Sequence, residues 1–355
     1  MHQCAGEAGE LVNLVLDFLT KNRERLRLDR YRVPEHLTSV MLTPRFRASR
    51  HVVFLILPRR KAKPVLVAKV PRLGDRSPSL SREAAALRAI QSMRPGGFES
   101  IPQLVAFEEY RGYPILVETA LNGKLLDPTH VRRDLEGACE LALDWLTDLP
   151  QTETGSAEAD WYDRQITQPL HAFATAFPLS PKEEQLLVRT QALITPLRQA
   201  PLPLVVEHGD VSHPNLIALH THTLGVVDWE LAELQGLPAC DMFFFLTYVA
   251  FAQSFARTRR DFLVPFNEAF FSPDAWAVRY VKQYAQRMRI DVQYLTPLFV
   301  LCWARYMSRL LLRLHNDDPQ PGRVEPETAA WLRGNRYYAL WRHSLTHLDS
   351  LGWAT

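Results

Sequence analysis

The chain has 355 residues, enough for a sizeable core and for two domains or one two-lobed unit. Hydrophobic residues make up 47% and charged residues 23%, which excludes disordered, collagen-like and fibrous proteins. The formal net charge of +2 gives no reason to expect a nucleic-acid partner or a membrane surface. The four cysteines are scattered without a CxxC pair, so we expect no zinc site, no disulfide framework and a cytoplasmic protein.

Hydropathy predicts no membrane span and no secretory signal. The most apolar run, Met242 to Ala252, is shorter than the ~20 residues that a bilayer helix needs. The first ten residues lack a basic segment followed by an apolar one.

The first 120 residues predict a small antiparallel sheet with one inserted helix. A 3.6-residue apolar period over 8–28 indicates a helix. Short β-rich runs separated by polar turns then predict strands at 38–42, 51–57, 64–70, 104–109 and 113–119. Between the third and fourth strands, Ser77 and Pro78 suit the start of a helix that ends before Pro95.

The remainder of the chain is mostly helical in pattern. We expect helices near 130–148, 160–177, 181–199, 239–257, 274–288, 294–315 and 326–347. A pair of short strands, 215–219 and 224–227, interrupts them, with His220 and His222 at the turn. The predicted fold class is therefore α+β, with a small sheet-containing part followed by a larger helical part.

The most informative motif is His208-x-Asp210, followed by Asn215 and, thirteen residues later, Asp228. Phosphoryl transfer needs one carboxylate to accept the proton of the attacking hydroxyl, and an amide and a second carboxylate to hold Mg²⁺ against the nucleotide phosphates. A hairpin between the two short strands would bring Asn215 and Asp228 together. The alternative is that these residues only form polar turns, where Asp and Asn are common.

These residues resemble the aminoglycoside phosphotransferase family, small-molecule kinases to which choline and homoserine kinases are related. The matching motifs are His208-Gly-Asp210, Asn215, the sequence DWE that begins at Asp228, and GLPACD that ends at Asp241. The resemblance implies a two-lobed protein-kinase-like fold. It also implies that Asp210 is the catalytic base, that Asn215 and Asp228 are magnesium ligands, and that His208 and Asp241 support the catalytic loop.

The first predicted sheet contains candidates for phosphate binding. Lys69 lies in an apolar strand, as does the kinase lysine that pairs with the α- and β-phosphates, and Glu83 in the next helix is its expected ion-pair partner. The loop 43–50 has no glycine, unlike the phosphate loop of protein kinases. Ser49 and the arginines of this loop either meet phosphates through their side chains or are simply solvated.

By the same resemblance, the hinge between the lobes follows the fifth strand. Glu118 and Ala120 are the candidates to bind the base of ATP through their main chains, with GTP as the alternative nucleotide. The expected organisation is a helical extension at 1–37, a nucleotide-binding N-lobe at 38–120, and a C-lobe at 121–355 with the catalytic loop and the acceptor-binding helices.

The acceptor is expected to be a small molecule with a hydroxyl group, such as a sugar, an amino alcohol or an aminoglycoside-like compound. Gly209 replaces the arginine of the protein-kinase HRD motif, and Asp228 and Asp241 are too close in sequence for an activation loop. From residue 251 onward, nine acidic residues stand against fourteen basic ones, which disfavours a polycationic substrate. Asp317 and Asp318 form the only adjacent acidic pair there.

Two other functions agree less well with the sequence. A nucleotide-binding pseudokinase with a regulatory role agrees with the glycine-free loop, but it has no need for an intact set of Lys69, Asp210, Asn215 and Asp228. A helical interaction protein with an accessory sheet leaves the order of these polar residues unexplained.

Overall fold

A computed structural model describes residues 14–42, 51–72, 78–94, 97–153, 161–220, 223–255, 259–314 and 322–353. The chain divides into two compact units. Unit 1 comprises Met1–Lys124 and Asn215–Ala232, and unit 2 comprises Leu125–Pro214 and Glu233–Thr355. The hairpin that carries Asn215 and Asp228 thus groups with the N-terminal sheet, although it follows a long helical segment in sequence.

Unit 1 is built on a five-stranded sheet of order β1-β2-β3-β5-β4, in which every pair is antiparallel. This confirms the predicted succession of strands. Their bounds are β1 (Leu37–Leu42), β2 (His51–Pro58), β3 (Leu66–Pro71), β4 (Leu104–Tyr110) and β5 (Tyr113–Thr119).

Two helices contact this sheet. The first, α1, covers residues 14–21, and its Phe18 joins the core that Phe54, Ala68 and Val70 form on one face of the sheet. Because side chains alternate along a strand, Lys69 points to the opposite face. There it contacts the second helix, α2 (Pro78–Met93).

The N-terminal helix is shorter than its apolar period predicts. Regular helix ends at residue 21, turns follow, and Leu28–Tyr31 form a short 3-10 helix. Arg27 has a left-handed φ of 51°, so no α-helix can continue through it to residue 28. The predicted residues 8–13 lie outside the described part of the chain.

A hairpin of β9 (Leu216–His220) and β10 (Thr223–Val226) completes unit 1. The Val226 N–H donates to Ser100 O at 2.8 Å, which ties the hairpin to the first segment. Gly123 approaches the hairpin so closely that a Cβ there would lie 2.3 Å from Ala218 O. A two-residue strand, β6 (Lys124–Leu125), begins at Lys124, the last residue of the first segment of unit 1.

Unit 2 is mostly helical. Its helices are α3 (Pro128–Arg133), α4 (Leu135–Asp148), α5 (Gln168–Ala176, preceded by a π-turn at Asp163–Thr167), α6 (Pro181–Ile194), α7 (Cys240–Ser254), α8 (Arg259–Phe270), α9 (Val278–Arg287), α10 (Leu295–Leu314), α11 (Pro326–Gly334) and α12 (Arg336–Thr346). It also has an antiparallel sheet of order β11-β8-β7, formed by β7 (Gln151–Glu153), β8 (Pro203–Glu207) and β11 (Glu233–Gly236).

Unit 2 corrects several sequence predictions. The sheet of β7, β8 and β11 and the helix α8 were not predicted. Two long predicted helices are each broken by a residue that caps the next helix. Asp134 Oδ1 accepts the Gly137 N–H at 2.8 Å, and Asn335 Oδ1 accepts the Tyr337 N–H at 3.0 Å.

The segment Val292–Leu314, which includes α10, is long and apolar enough to cross a membrane by length and composition. However, 78% of its most apolar window is buried inside the protein, as expected for a core helix. Val292–Leu314 therefore reaches the length that a membrane span needs, whereas the run Met242 to Ala252 does not.

Candidate functional site

Lys69 lies at the centre of a buried cluster in unit 1. Its Nζ is 2.6 Å from Glu83 Oε1 and 2.9 Å from Asp228 Oδ1, and Glu118 Oε1 is 4.0 Å away. Lys69, Glu83 and Glu118 are all less than 5% exposed, whereas one third of the Asp228 side chain is accessible. The ion pair between Lys69 and Glu83 that the sequence predicts is therefore present, and Asp228 shares its cation.

Three carboxylates around one ammonium give the cluster an excess of negative charge. Burial opposes the ammonium, but Asp228 and Glu83 outweigh it and raise the pKa of Lys69 well above its usual value. Burial raises the pKa of Glu83, with Glu118 and Asp228 adding to the shift and Lys69 opposing it. Burial likewise raises the pKa of Glu118. The site thus holds its lysine charged while disfavouring the full ionisation of its acids.

The base of the β9–β10 hairpin brings Asn215 and Asp228 together, as the sequence predicts. The Val227 N–H donates to Asn215 O at 3.0 Å, so the residue before Asp228 is bonded to Asn215. Asp228 has a φ of 71°, a left-handed conformation that Asp adopts more readily than most residues. The next residue, the fully buried Trp229, donates its N–H to Glu83 Oε1 at 3.0 Å.

The main-chain roles predicted for Glu118 and Ala120 do not agree with the strand register. The Ala120 N–H donates to Val65 O at 3.1 Å, and Glu118 pairs with Val67. Since alternate residues of an antiparallel strand direct their backbone groups to the same side, both residues face β3. The expectation is therefore one residue out of register, and the Glu118 side chain belongs instead to the Lys69 cluster.

The His208–Asp210 loop lies in unit 2, where Asp241 binds its backbone. Asp241 Oδ2 accepts the His208 N–H at 2.6 Å and Oδ1 accepts the Gly209 N–H at 2.9 Å. Gly209 has a φ of 83°, which disfavours any side chain at that position. Its carbonyl accepts the Tyr306 hydroxyl at 2.8 Å. The loop backbone is thus held from two sides in a conformation that favours glycine.

Further bonds orient Asp210 itself. His208 Nδ1 accepts the Asp210 N–H at 3.2 Å, so this ring nitrogen carries no proton. The Ser212 hydroxyl donates to Asp210 Oδ1 at 3.0 Å. Burial, together with the nearby Glu207, raises the pKa of Asp241 to about 7, against the effect of its two N–H bonds.

Behind the loop, Glu207 forms a buried ion pair that sequence reasoning missed. Its Oε2 lies 2.9 Å from Arg305 Nη1 and accepts the Leu237 N–H at 3.1 Å, while Oε1 lies 3.3 Å from Arg309 Nη1. Burial opposes the carboxylate, but Arg305 and Arg309 outweigh it and lower the pKa of Glu207. A carboxylate at the end of the apolar run before His208 was the signal that could have identified it.

Some predicted residues cannot be placed. Ser49 and the rest of the loop 43–50, as well as His222, Asp317 and Asp318, lie outside the described residues. Within the described ranges, no group of three or more His, Cys, Asp or Glu side chains is arranged to hold a metal. Asn215 and Asp228 stay the metal ligands predicted from the sequence.

The model of the phosphotransferase enzyme family, APH, matches residues 45–285. Choline kinase LicA from Streptococcus pneumoniae superposes with a TM-score of 0.52 at 12% identity, covering 92% of this chain and 99% of its own. An aminoglycoside phosphotransferase from Streptomyces rimosus with ADP and streptomycin has a TM-score of 0.48 at 14% identity, covering 88% and 100%. A comparison with curated protein sequences gives no match. The likeness to choline kinase confirms the predicted α+β, protein-kinase-like fold.

Proposed function

Because the chain belongs to the phosphotransferase enzyme family, we propose that it transfers the γ-phosphoryl group of ATP to a hydroxyl of a small molecule. GTP is the alternative donor. The observation that carries this proposal is the contact of Lys69 with both Glu83 and Asp228, at 2.6 and 2.9 Å. A buried lysine tied to a helix carboxylate and to a hairpin carboxylate is the arrangement that positions nucleotide phosphates in kinases.

Lys69 is assigned to the α- and β-phosphates of the nucleotide. Its ammonium has three protons and already engages two carboxylates, so one donor remains for a phosphate oxygen. Glu83 holds the side chain in place from α2. The raised pKa of Lys69 keeps it protonated through the physiological range.

The donor set at the base of the hairpin fits Mg²⁺. This ion prefers hard oxygen ligands and takes one or two carboxylates together with substrate phosphates. Asp228, one third exposed, would supply a carboxylate oxygen, and Asn215 an amide oxygen. When bound, the ion would neutralise charge on the β- and γ-phosphates.

Asp210 is assigned to the acceptor hydroxyl as general base. His208 and Ser212 orient its backbone and carboxylate, and Asp241 fixes the loop that carries it. In the reaction, the acceptor hydroxyl would pass its proton to an Asp210 carboxylate oxygen as its own oxygen attacks the γ-phosphorus. The bond between the γ-phosphorus and the oxygen that bridges it to the β-phosphate would break, and ADP would leave with that oxygen.

We also propose a base-binding group, argued from the strand register. Ala120 directs its N–H towards β3, so its neighbour Thr119, the last residue of β5, directs its backbone groups to the other side. The Thr119 N–H already donates to Gln103 O at 2.9 Å. We therefore assign the Thr119 carbonyl to the nucleotide base as a hydrogen-bond acceptor.

An ADP-release assay with ATP, Mg²⁺ and a panel of sugars, amino alcohols, hydroxy acids and aminoglycosides tests this function. We expect turnover with at least one acceptor class and none with Asp228→Asn. Binding of Mg-ATP without turnover across the panel would instead identify a pseudokinase. The buried free thiols of Cys139, Cys240 and Cys302 agree with the cytoplasmic location that we propose.

A further inference from the structure

A cavity of about 570 Å³ opens in unit 2 next to the catalytic loop. Its walls are aromatic, with Phe244, Tyr248, Trp303 and Tyr337 among the lining side chains. Ser212, whose hydroxyl donates to Asp210 Oδ1 at 3.0 Å, also lines it. The volume suits a small organic molecule, and Ser212 connects its wall directly to the assigned base.

The charged groups of the wall are all cationic. Arg132 and Arg336 line the cavity, and none of the lining residues that the structure describes is an Asp or Glu. Arg132 donates to Ala252 O at 2.8 Å and stacks over the ring of Phe255 at 4.0 Å, so its position is fixed. Arg336 is exposed and donates to the Tyr337 hydroxyl at 2.8 Å. Asp210, bonded to Ser212 beside the wall, offsets one of these two charges, and the remaining positive charge favours an anion over a cation.

Two buried polar atoms of the wall have no protein partner. Thr247 Oγ1 and Trp303 Nε1 lack a hydrogen bond within the described part of the chain, although their side chains are 3% and 0% exposed. Both residues line the cavity. A buried donor without a partner costs free energy, and an indole N–H can only donate. An oxygen acceptor placed against either atom would recover this free energy.

We propose that this cavity is the acceptor site, and that it takes a hydroxylated molecule with an aromatic body and an anionic group. The proposal rests on the proposed function, since it names the substrate class of the same reaction. Aromatic walls alone would equally suit an amine cation through cation–π contacts. Arg132 and Arg336 decide between these classes, because a cationic ligand would enter a cavity whose wall already carries two cations.

Three probes with one carbon skeleton separate these classes by charge. They are 3-phenyllactate, which is anionic, 3-phenylpropane-1,2-diol, which is neutral, and 2-amino-3-phenylpropan-1-ol, which is cationic. Calorimetric titration of the full chain without nucleotide or metal should give 3-phenyllactate the tightest binding, at least tenfold tighter than the cation. Equal or tighter binding of the cation, or no binding of the anion, would overturn the proposal.

Variants locate the binding to this cavity. Arg336→Gln should weaken 3-phenyllactate at least fivefold and reduce its preference over the cation. Arg342→Gln, an exposed arginine of the same helix α12 outside the cavity wall, is the matched control and should change neither. Thr247→Val preserves the shape of the side chain and removes the unpartnered hydroxyl, so it should also weaken binding. Unchanged affinity in both Arg336→Gln and Thr247→Val would place the ligand elsewhere.

The same experiments distinguish this proposal from the proposed function. Arginine-dependent binding of 3-phenyllactate, with no ADP release for any acceptor of the panel, would support the anionic site and overturn the kinase activity. Phosphorylation of choline or kanamycin, with no binding of 3-phenyllactate, would support the activity and overturn the anionic site.

Discussion

The Trp229 N–H donates to Glu83 Oε1 at 3.0 Å, the same oxygen that lies 2.6 Å from Lys69 Nζ. One carboxylate oxygen thus joins α2, β3 and the residue after Asp228. Trp229 is fully buried and its indole N–H donates to Val226 O at 3.0 Å, which fixes the end of the hairpin. Glu83 therefore both partners the lysine and sets where the Asp228 backbone lies.

The charge balance of this cluster predicts unequal effects of removing its members. Lys69→Met leaves Glu83, Glu118 and Asp228 without a cation, and should lower the free energy of unfolding by about 3–5 kcal/mol. Glu83→Gln keeps an oxygen for the Trp229 N–H and leaves Lys69 with Asp228 at 2.9 Å, so it should cost about 1 kcal/mol or less. Urea unfolding measures both. A Glu83→Gln variant as unstable as Lys69→Met would contradict this balance.

The Glu207 ion pair predicts an asymmetric double-mutant cycle. Glu207→Gln leaves the buried Arg305 without its carboxylate and should cost about 3–5 kcal/mol. Arg305→Met should cost less, because Arg309 still lies 3.3 Å from Glu207. The double variant should lose less free energy of unfolding than the two single variants lose together, with a coupling energy of about 1–3 kcal/mol. Additive losses in urea unfolding would show that the two side chains do not stabilise each other.

Because Asp241 accepts two N–H groups of the loop that carries Asp210, we expect a change at Asp241 to lower turnover. Asp241→Asn retains one oxygen acceptor for two backbone N–H groups, those of His208 and Gly209. It should cost about 1–3 kcal/mol of stability and lower kcat, with Mg-nucleotide affinity unchanged because Lys69 and Asp228 are untouched. The exposed Asp349→Asn is the control. A loss of nucleotide affinity without a change in kcat would contradict this assignment.

The sequence predicted the sheet of unit 1 well because each strand is a local apolar run bounded by polar turns. It missed β7 and β11, which have three and four residues and no clear alternation. The grouping of the β9–β10 hairpin with unit 1 depends on contacts such as Val226 with Ser100, about 125 residues apart in sequence. Local patterns carry no information on such pairings.

Within the candidate site, the residues found from sequence are those with a fixed spacing or an unusual setting, such as Asp210 and Lys69. The side chain of Glu118 was missed, although strand alternation contains the signal. Lys69 pairs with Leu116, and Glu118 is two residues further along the same face. Tyr306 and Trp303 carry no such signal, since their positions next to the loop and the cavity arise from the packing of α10.

The lowered pKa of Glu183 leads us to expect a smaller free energy of unfolding in acid. Burial opposes its carboxylate, but Arg333, the Tyr338 hydroxyl and the Ser180 N–H outweigh burial and lower the pKa of Glu183 to about 2, from an ordinary value of 4.5. The stabilisation is therefore complete above pH 4.5 and is lost as the pH falls towards 2. It should amount to about 1–3 kcal/mol, because the partly exposed Arg333 is screened by solvent.

Glu183→Gln removes this pH dependence. The difference in unfolding free energy between the wild type and Glu183→Gln should be largest at neutral pH and should shrink between pH 4.5 and pH 2. Glu184→Gln, its exposed neighbour on α6, is the matched control and should show little difference at either pH. A wild-type advantage over Glu183→Gln that stays constant across this range would show that Glu183 acts through packing alone.

Asp210 and Asp228 should be separable by their effects, since one is assigned to the acceptor hydroxyl and the other to the metal. Asp210→Asn should lower kcat by about 10²–10⁴-fold and leave Mg-nucleotide affinity nearly unchanged. Asp228→Asn should weaken Mg-nucleotide binding itself, and the weakening should disappear when affinity is measured without Mg²⁺. Asp and Asn have nearly the same shape, so the comparison is not confused by damage to the fold. If Asp210→Asn loses Mg-nucleotide affinity as severely as Asp228→Asn does, Asp210 belongs to the metal site and the assignment of the base is wrong.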